Sequence, residues 1–400
     1  MTHVARSLAV AFAALGLVSS RASAQYAAGT VFAVRVATDN SVKIAPYQFS
    51  GGTWNVGSAL SASATGTSAL TMTPGVTGNT EGGLTISPNG KYLGLAGYRT
   101  GIQSGVTDRV VGRVDLTTGS FSGVAATINA TTSLPNAEGY TSSSVNSAVW
   151  NSAGNRYWAA GTGSGGGTRT NTFGSTTGSV QLHLSPENTR VVSIFNNQLY
   201  ASTKAAGTVG ILVVGAGLPE TAGQTAVRLA NTGTSGGSAP SPSGFALSPD
   251  GTLLYIADDR PLGTGTNGGG IQKWKLNSTT GNFDLMTRFG TGTGSTVGAR
   301  GLAVDFTTTD PTIYAVTTDS TNNRILRFQD VLDTQTGLTL IDSSGSSDLF
   351  RGVAVIAPVP EPAMVVGLAA LGLAGVRIVR RRRQGVAARS VEENRRSEDS

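Results

Sequence analysis

The 400-residue sequence predicts an all-β fold, a six-bladed β-propeller closed into a ring by strands from its two ends. Three observations carry that expectation. A five-residue strand recurs at a step near 50 residues, Pro/Gly turns follow its copies at a fixed place, and the two ends each hold the strands that the other lacks.

The first element precedes the ring. Residues 1–24 read as a secretory signal peptide, with His3 and Arg6 at a weakly positive start, an apolar core at residues 8–18, and Ala22-Ser23-Ala24 as a small-x-small cleavage site. The mature chain is then expected to begin at Gln25. The sequence contains no cysteine, so disulfides and thiolate metal sites are excluded and the fold must rest on its core.

Residues 25–357 are the expected propeller. Apolar residues fall in short β-rich bursts such as Val31-Phe32-Ala33-Val34, Leu253-Leu254-Tyr255-Ile256 and Thr312-Ile313-Tyr314-Ala315-Val316, with turn residues between them. The recurring strand is Gly83-Leu84-Thr85-Ile86-Ser87, Gly244-Phe245-Ala246-Leu247-Ser248, Gly301-Leu302-Ala303-Val304-Asp305 and Gly352-Val353-Ala354-Val355-Ile356. Weaker copies start at Asn146 and Arg190, and the successive steps are 63, 44, 54, 57 and 51 residues. Ser87-Pro88-Asn89-Gly90 and Ser248-Pro249-Asp250-Gly251 follow two copies, and Asn151-Ser152-Ala153-Gly154 follows a third. In each, Pro presets the turn or Asn/Asp caps it, and Gly takes the positive φ.

The copy at Gly352 has only one strand before the sequence changes character. Residues 31–36, 42–49 and 54–60 read as the three strands needed to complete its blade, which removes two open sheet edges. Six blades result; seven is the alternative, because residues 61–80 leave room for a further strand or two. The turns, with a Tyr-containing strand after them (Lys91-Tyr92-Leu93, Leu253-Leu254-Tyr255), resemble those of tryptophan-aspartate-type and lactonase-like propellers. That resemblance implies architecture, since the fold hosts many unrelated activities.

The last forty residues are of a different kind. Val359-Pro360-Glu361-Pro362 leads into an apolar run at residues 363–375, followed by Arg377 and Arg380-Arg381-Arg382-Arg383. Residues 363–379 are at the short end of the ~17–25 needed to cross a bilayer as a helix. Pro362 suits a helix start, and the arginines favour the cytoplasmic side. The order of triplet, apolar segment and arginine cluster resembles the C-terminal sorting signal of the PEP-CTERM family of bacterial exported proteins. The resemblance implies that Pro360, Glu361 and Pro362 are read by an exosortase-type membrane protease. It also implies that residues 363–379 are a transient transmembrane anchor, that Arg380 to Arg383 hold a cytoplasmic tail of residues 380–400, and that the processed protein reaches the cell surface or extracellular matrix. Residues 384–400 extend beyond the point where that family's signal usually stops.

Charge follows the same division. Of 29 Lys+Arg and 23 Asp+Glu, the signal segment holds two arginines and residues 377–400 hold eight arginines and four acids, which leaves residues 25–376 with 19 of each sign. The basic balance therefore belongs to the membrane-handling ends, and nucleic-acid binding is not indicated.

Candidate chemistry in the body is sparse. His183 is the one histidine beyond the signal segment and has no evident partner. No Gly-x-Ser-x-Gly elbow lies in a strand-to-helix context, so no catalytic residue is assigned. Asp258-Asp259 after a strand, with Glu81 and Glu138 before inner strands, are of the type that ligates Ca²⁺ through oxygen, although no spacing matches a calcium loop. Arg300 and Arg351 precede the same glycine in successive units. They are suited to an anionic sugar or carboxylate, or to structural bridges with Asp305 or Asp348. Trp54, Trp150, Trp158 and Trp274 are expected to pack between blades, with sugar stacking as the other use of one of them. Two functions stay open: a non-enzymatic surface or matrix protein that binds extracellular polysaccharide or envelope proteins, and a secreted lactonase-like hydrolase using channel-facing carboxylates and a divalent cation.

Overall fold

The computed structural model describes residues 25–75, 80–101, 107–233, 239–263, 268–292 and 296–357. The chain divides into two compact units, Met1–Ala357 and Pro358–Ser400. The signal segment, the Pro360-Glu361-Pro362 triplet, the apolar run and Arg380 to Arg383 lie outside the described residues.

Six antiparallel sheets make six blades. From the innermost strand outward, blade 2 is Thr85–Ile86, Tyr92–Tyr98, Arg109–Asp115 and Ile128–Leu134, and blade 3 is Val145–Trp150, Arg156–Gly161, Gly167–Thr172 and Val180–Gln181. Blade 4 is Thr189–Phe195, Gln198–Thr203, Gly210–Val214 and Ala226–Asn231; blade 5 is Pro242–Leu247, Leu253–Asp258, Gly270–Leu276 and Phe283–Phe289. Blade 6 is Ala299–Asp305, Thr312–Thr317, Arg324–Val331 and Thr334–Ser343. Blade 1 is built from both ends, with Asp348–Val355 innermost and Val31–Ala37, Val42–Ser50 and Thr53–Val56 outside it. All six copies of the recurring strand are the innermost strands of their blades.

The closure is a continuous antiparallel ladder, with Val31 opposite Val355, Phe32 opposite Ala354 and Ala33 opposite Val353, and a bulge before Arg35 meets Phe350. One predicted element is corrected here. The strand expected at residues 54–60 is two pieces: Thr53–Val56 pairs with the outer half of Val42–Ser50, and Leu60–Ser61 pairs back at Lys43 and Ile44. Gly57 N–H still donates to the Pro46 carbonyl at 2.9 Å, and at the next residue Ser58 N turns to the Phe121 carbonyl at 2.9 Å, an approach that leaves no room for a side chain on Gly57. Beyond it, residues 63–71 form only isolated bridges, and the sheets number six.

The turns form as their residues require. In both Ser-Pro-x-Gly copies the Gly N–H donates to the Ser carbonyl, Gly90 at 2.9 Å and Gly251 at 2.8 Å, with φ of 71° and 73°. The serine hydroxyl accepts from the N–H five residues on, Tyr92 and Leu253, each at 2.9 Å.

Hydrophobic clusters fill the spaces between adjacent blades around the ring. Each middle strand therefore serves two clusters at once. Leu254 and Ile256 face blade 4 with Phe245 and Trp274, whereas Tyr255 and Ala257 face blade 6 with Leu302 and Phe328. Alternation along a strand separates two buried faces, so these strands read as unbroken apolar runs.

The inner glycines let the innermost strands meet. A Cβ on Gly352 would sit 2.2 Å from Leu84 N, one on Gly244 would be 2.6 Å from Leu302 N, and one on Gly301 would be 2.8 Å from the Arg351 carbonyl. The recurring glycine is thus a close-approach residue on the ring axis.

Candidate functional site

Two places bring polar or aromatic chemistry together: one end of the ring axis and a groove between blades 1 and 6.

At the axis, arginines of three inner strands, Arg190, Arg300 and Arg351, come near one another. One carboxylate oxygen of Asp259 lies 3.3 Å from Arg190 Nη1 and 3.3 Å from Arg300 Nη2. Burial pushes the Asp259 carboxyl up, but the two guanidiniums outweigh it and hold the group below the usual range. The bridges expected for Arg300 and Arg351 are not formed. Asp305 instead accepts from the Thr307 N–H at 2.9 Å, and Asp348 pairs with Arg35 at 3.2 Å. Asp305 closes its inner strand and Asp348 opens the inner strand that carries Arg351, and each is engaged by a group other than the arginine near it in sequence.

Arg351 is 2% exposed, and its Nη2 donates to the carbonyls of Thr73, at 2.7 Å, and Gly75. Its Nε and Nη1 have no partner. Burial, then the neighbouring Arg300 charge, lower its pKa to about 10 despite Glu81 nearby. Glu81 is itself caged: Thr73 N and Thr73 Oγ1 donate to it at 2.9 and 3.1 Å, and Tyr98 Oη at 2.7 Å. Burial raises its pKa in spite of those donors.

The other predicted acids are also engaged by protein groups. Asp258 receives Arg260 Nε at 2.9 Å and Nη2 at 2.8 Å, together with the Ser241 N–H at 3.0 Å. Glu138 accepts from Gly178 N, Ser179 N and Ser179 Oγ at 2.7 to 3.0 Å. Among the described residues no three His, Asp or Glu side chains come together in a form that could hold a metal ion. His183 is buried in blade 3, where its Nε2 accepts from Thr168 N at 3.3 Å, and burial pushes its pKa down.

The tryptophans separate into two uses. Trp150, Trp158 and Trp274 are buried, with Nε1 donating to Gly112 O, Pro219 O and Gln272 Oε1 at 3.0, 2.8 and 3.0 Å. Trp54 is different. It lies opposite Phe49 in the sheet, with ring centroids 5.4 Å apart, and meets Tyr314 of blade 6 edge-on at 6.2 Å. Phe49 is 60% exposed. Together these rings floor an open groove of about 700 Å³ whose polar walls include Gln48, Thr53, Arg327 and Thr339. Only the Trp54 part of this groove was flagged from sequence; Phe49 and Tyr314 join it through register and blade packing.

Comparison with known proteins bears on the tail and on the architecture. Residues 358–383 match the PEP-CTERM protein-sorting motif.

The chain carries a PEP-CTERM sorting signal.

That motif implies bacterial export and handling by exosortase at the membrane. Among the described residues no helix is long and apolar enough to cross a membrane. No curated protein matches the sequence. Similar solved structures include the periplasmic gluconolactonase PpgL of Pseudomonas aeruginosa, at 14% identity and a TM-score of 0.41, covering 79% of this chain and 83% of that one. A protein from Lactobacillus plantarum is 12% identical with a TM-score of 0.43, covering 82% and 86%. The hydrazine synthase of Kuenenia stuttgartiensis is 11% identical with a TM-score of 0.40, covering 74% and 76%. Similarity at this level carries no chemistry across.

Proposed function

We propose that this PEP-CTERM protein is a non-enzymatic cell-surface or matrix component that binds extracellular polysaccharide through the groove between blades 1 and 6. The observation that supports it most is the surface pair Phe49 and Trp54, backed by Tyr314, in a groove with hydrogen-bonding walls. The C–H bonds on one face of a pyranose ring are weakly positive and rest well on a negative π face, while Gln48, Thr53, Thr339 and Arg327 can take hydroxyls or a carboxylate. Trp54 Nε1–H makes no hydrogen bond within the described residues, which leaves a donor for a sugar oxygen. The engaged state of Asp258, Glu81 and Glu138 fits a binding role better than a hydrolytic one.

Glycan-array or pull-down binding of the exported chain to exopolysaccharide tests this reading. The Trp54→Ala and Phe49→Ala variants should lose retention while remaining folded. Equal retention of wild type and both variants would remove the groove from the account, and cation-dependent lactone hydrolysis by the wild type would replace binding with catalysis.

A further inference from the structure

The groove between blades 1 and 6 carries a single charge. Arg327 is the one charged residue among those that line it, and none of the lining residues is acidic. Its place follows from the sheet. Tyr314 and Arg327 stand directly opposite each other on adjacent strands of blade 6, and Arg327 stands opposite Thr339 on the next strand. Opposed residues share a face. Tyr314 faces blade 1, as does the neighbouring pair Val316 and Ile325. The row Tyr314, Arg327, Thr339 therefore confronts the pair Phe49 and Trp54 of blade 1 across the groove.

The guanidinium of Arg327 is steadied without being neutralised. It lies beside the Tyr314 hydroxyl, and among the described residues it forms no ion pair. Arg327 is half-buried and, unlike Arg351, has no nitrogen that is sealed from solvent without a partner. Asp305 and Asp342, on the strands beside those of Tyr314 and Arg327, are engaged elsewhere. Thr307 N and Oγ1 donate to Asp305 at 2.9 and 2.6 Å, and Tyr47 Oη donates to Asp342 at 2.7 Å.

We infer that the polysaccharide taken by this groove is acidic, with a uronate ring resting on Phe49 and Trp54 and its carboxylate on Arg327. The inference rests on the reading of the groove as a glycan site and adds the class of sugar. A uronate carries its carboxylate on the ring carbon beside the ring oxygen, so a stacked ring presents it at its edge. Arg327 is one strand beyond Tyr314, a spacing of about 4.8 Å, so the charge stands at the border of the aromatic floor. The planar guanidinium donors match the two oxygens of a carboxylate. Overall charge gives no such preference, because residues 25–376 hold 19 charges of each sign.

The test uses the full chain on alginate and on polygalacturonate, each beside its ester, in which the rings remain and the charge is gone. The wild type should bind at least one of the acids about five- to tenfold more tightly than the matching ester. Arg327→Met should bring that ratio close to one, and Arg327→Lys should keep part of it. The arginines of the tail are present in every variant and do not account for a difference between them. Should Arg327→Met not fold, Arg327→Gln, which keeps a donor for Tyr314, takes its place. Trp54→Ala should weaken acid and ester alike. Esters bound as tightly as acids by the wild type, or a ratio unchanged on removing the Arg327 charge, overturns the inference and leaves a groove for neutral glycans. Wild type that binds neither form, or Trp54→Ala that binds both as the wild type does, removes the groove and the inference together.

Discussion

Arg300 reaches across to Asp259, 41 residues away in blade 5, at 3.3 Å, and not to Asp305 on its own strand. The pair is shared with Arg190, so one carboxylate, on the residue just after the second strand of blade 5, ties together the first strands of blades 4 and 6.

Asp259→Asn should therefore leave two poorly exposed guanidiniums facing each other. The expected loss is about 3–5 kcal/mol in urea unfolding, as when one partner of a buried pair is removed. The pH dependence follows from the lowered Asp259 pKa. Its stabilisation is complete above the unfolded carboxylate value near ~3.9 and is lost as pH falls through the lower folded value. The gap between wild type and variant should accordingly narrow only in strong acid.

Gly352→Ala tests the close approach on the axis. The new methyl would have backbone on two sides, Leu84 N at 2.2 Å and the Gly82 carbonyl at 2.4 Å, and neither can give way as a flexible side chain would. A loss of about 3 kcal/mol or more is expected in chemical denaturation, at the upper end for overpacking. Gly281→Ala, at a site with nothing within 4 Å but φ of 71°, should cost about 1 kcal/mol through backbone strain alone.

Trp54→Ala and Trp150→Ala should behave in opposite ways. Trp54 borders the groove and is only half-buried, so its loss should weaken polysaccharide binding about tenfold with a smaller loss of stability than at Trp150. Trp150 is fully buried with its N–H bonded to Gly112, and its truncation should lower stability by about 3–5 kcal/mol. Parallel binding and thermal-melt measurements on the two variants separate the roles.

Replacing Pro360-Glu361-Pro362 by three alanines should stop processing of the tail in the native host. Mass analysis of the membrane and surface fractions is expected to show the unprocessed chain retained in the membrane. An unchanged surface product would count against recognition of the triplet.

The ring was legible because its signals are local and repeated. The inner strands announce themselves through the glycine that starts most of them, and the turns through Ser87 to Gly90 and Ser248 to Gly251. The break after Val56 was not legible, since the Phe121 carbonyl that takes the Ser58 N–H comes from another blade. Partners of Arg300 and Arg351 were missed for the same reason: Asp259 belongs to blade 5, and the Thr73 and Gly75 carbonyls precede blade 2. The groove needed both the Phe49–Trp54 register and the arrival of Tyr314 from blade 6, and neither is encoded in a motif.

Blade 1 also sets an order of events. The strand Val31–Ala37 leaves the ribosome early, yet its inner partner Asp348–Val355 is made more than three hundred residues later. Until then the earliest strands expose an unpaired edge, which chaperones can hold and proteases can reach. A chain cut short anywhere before residue 348 never conceals that edge. The molecule thus carries its own test of completeness, and only a polypeptide translated as far as the threshold of its sorting signal can pass it.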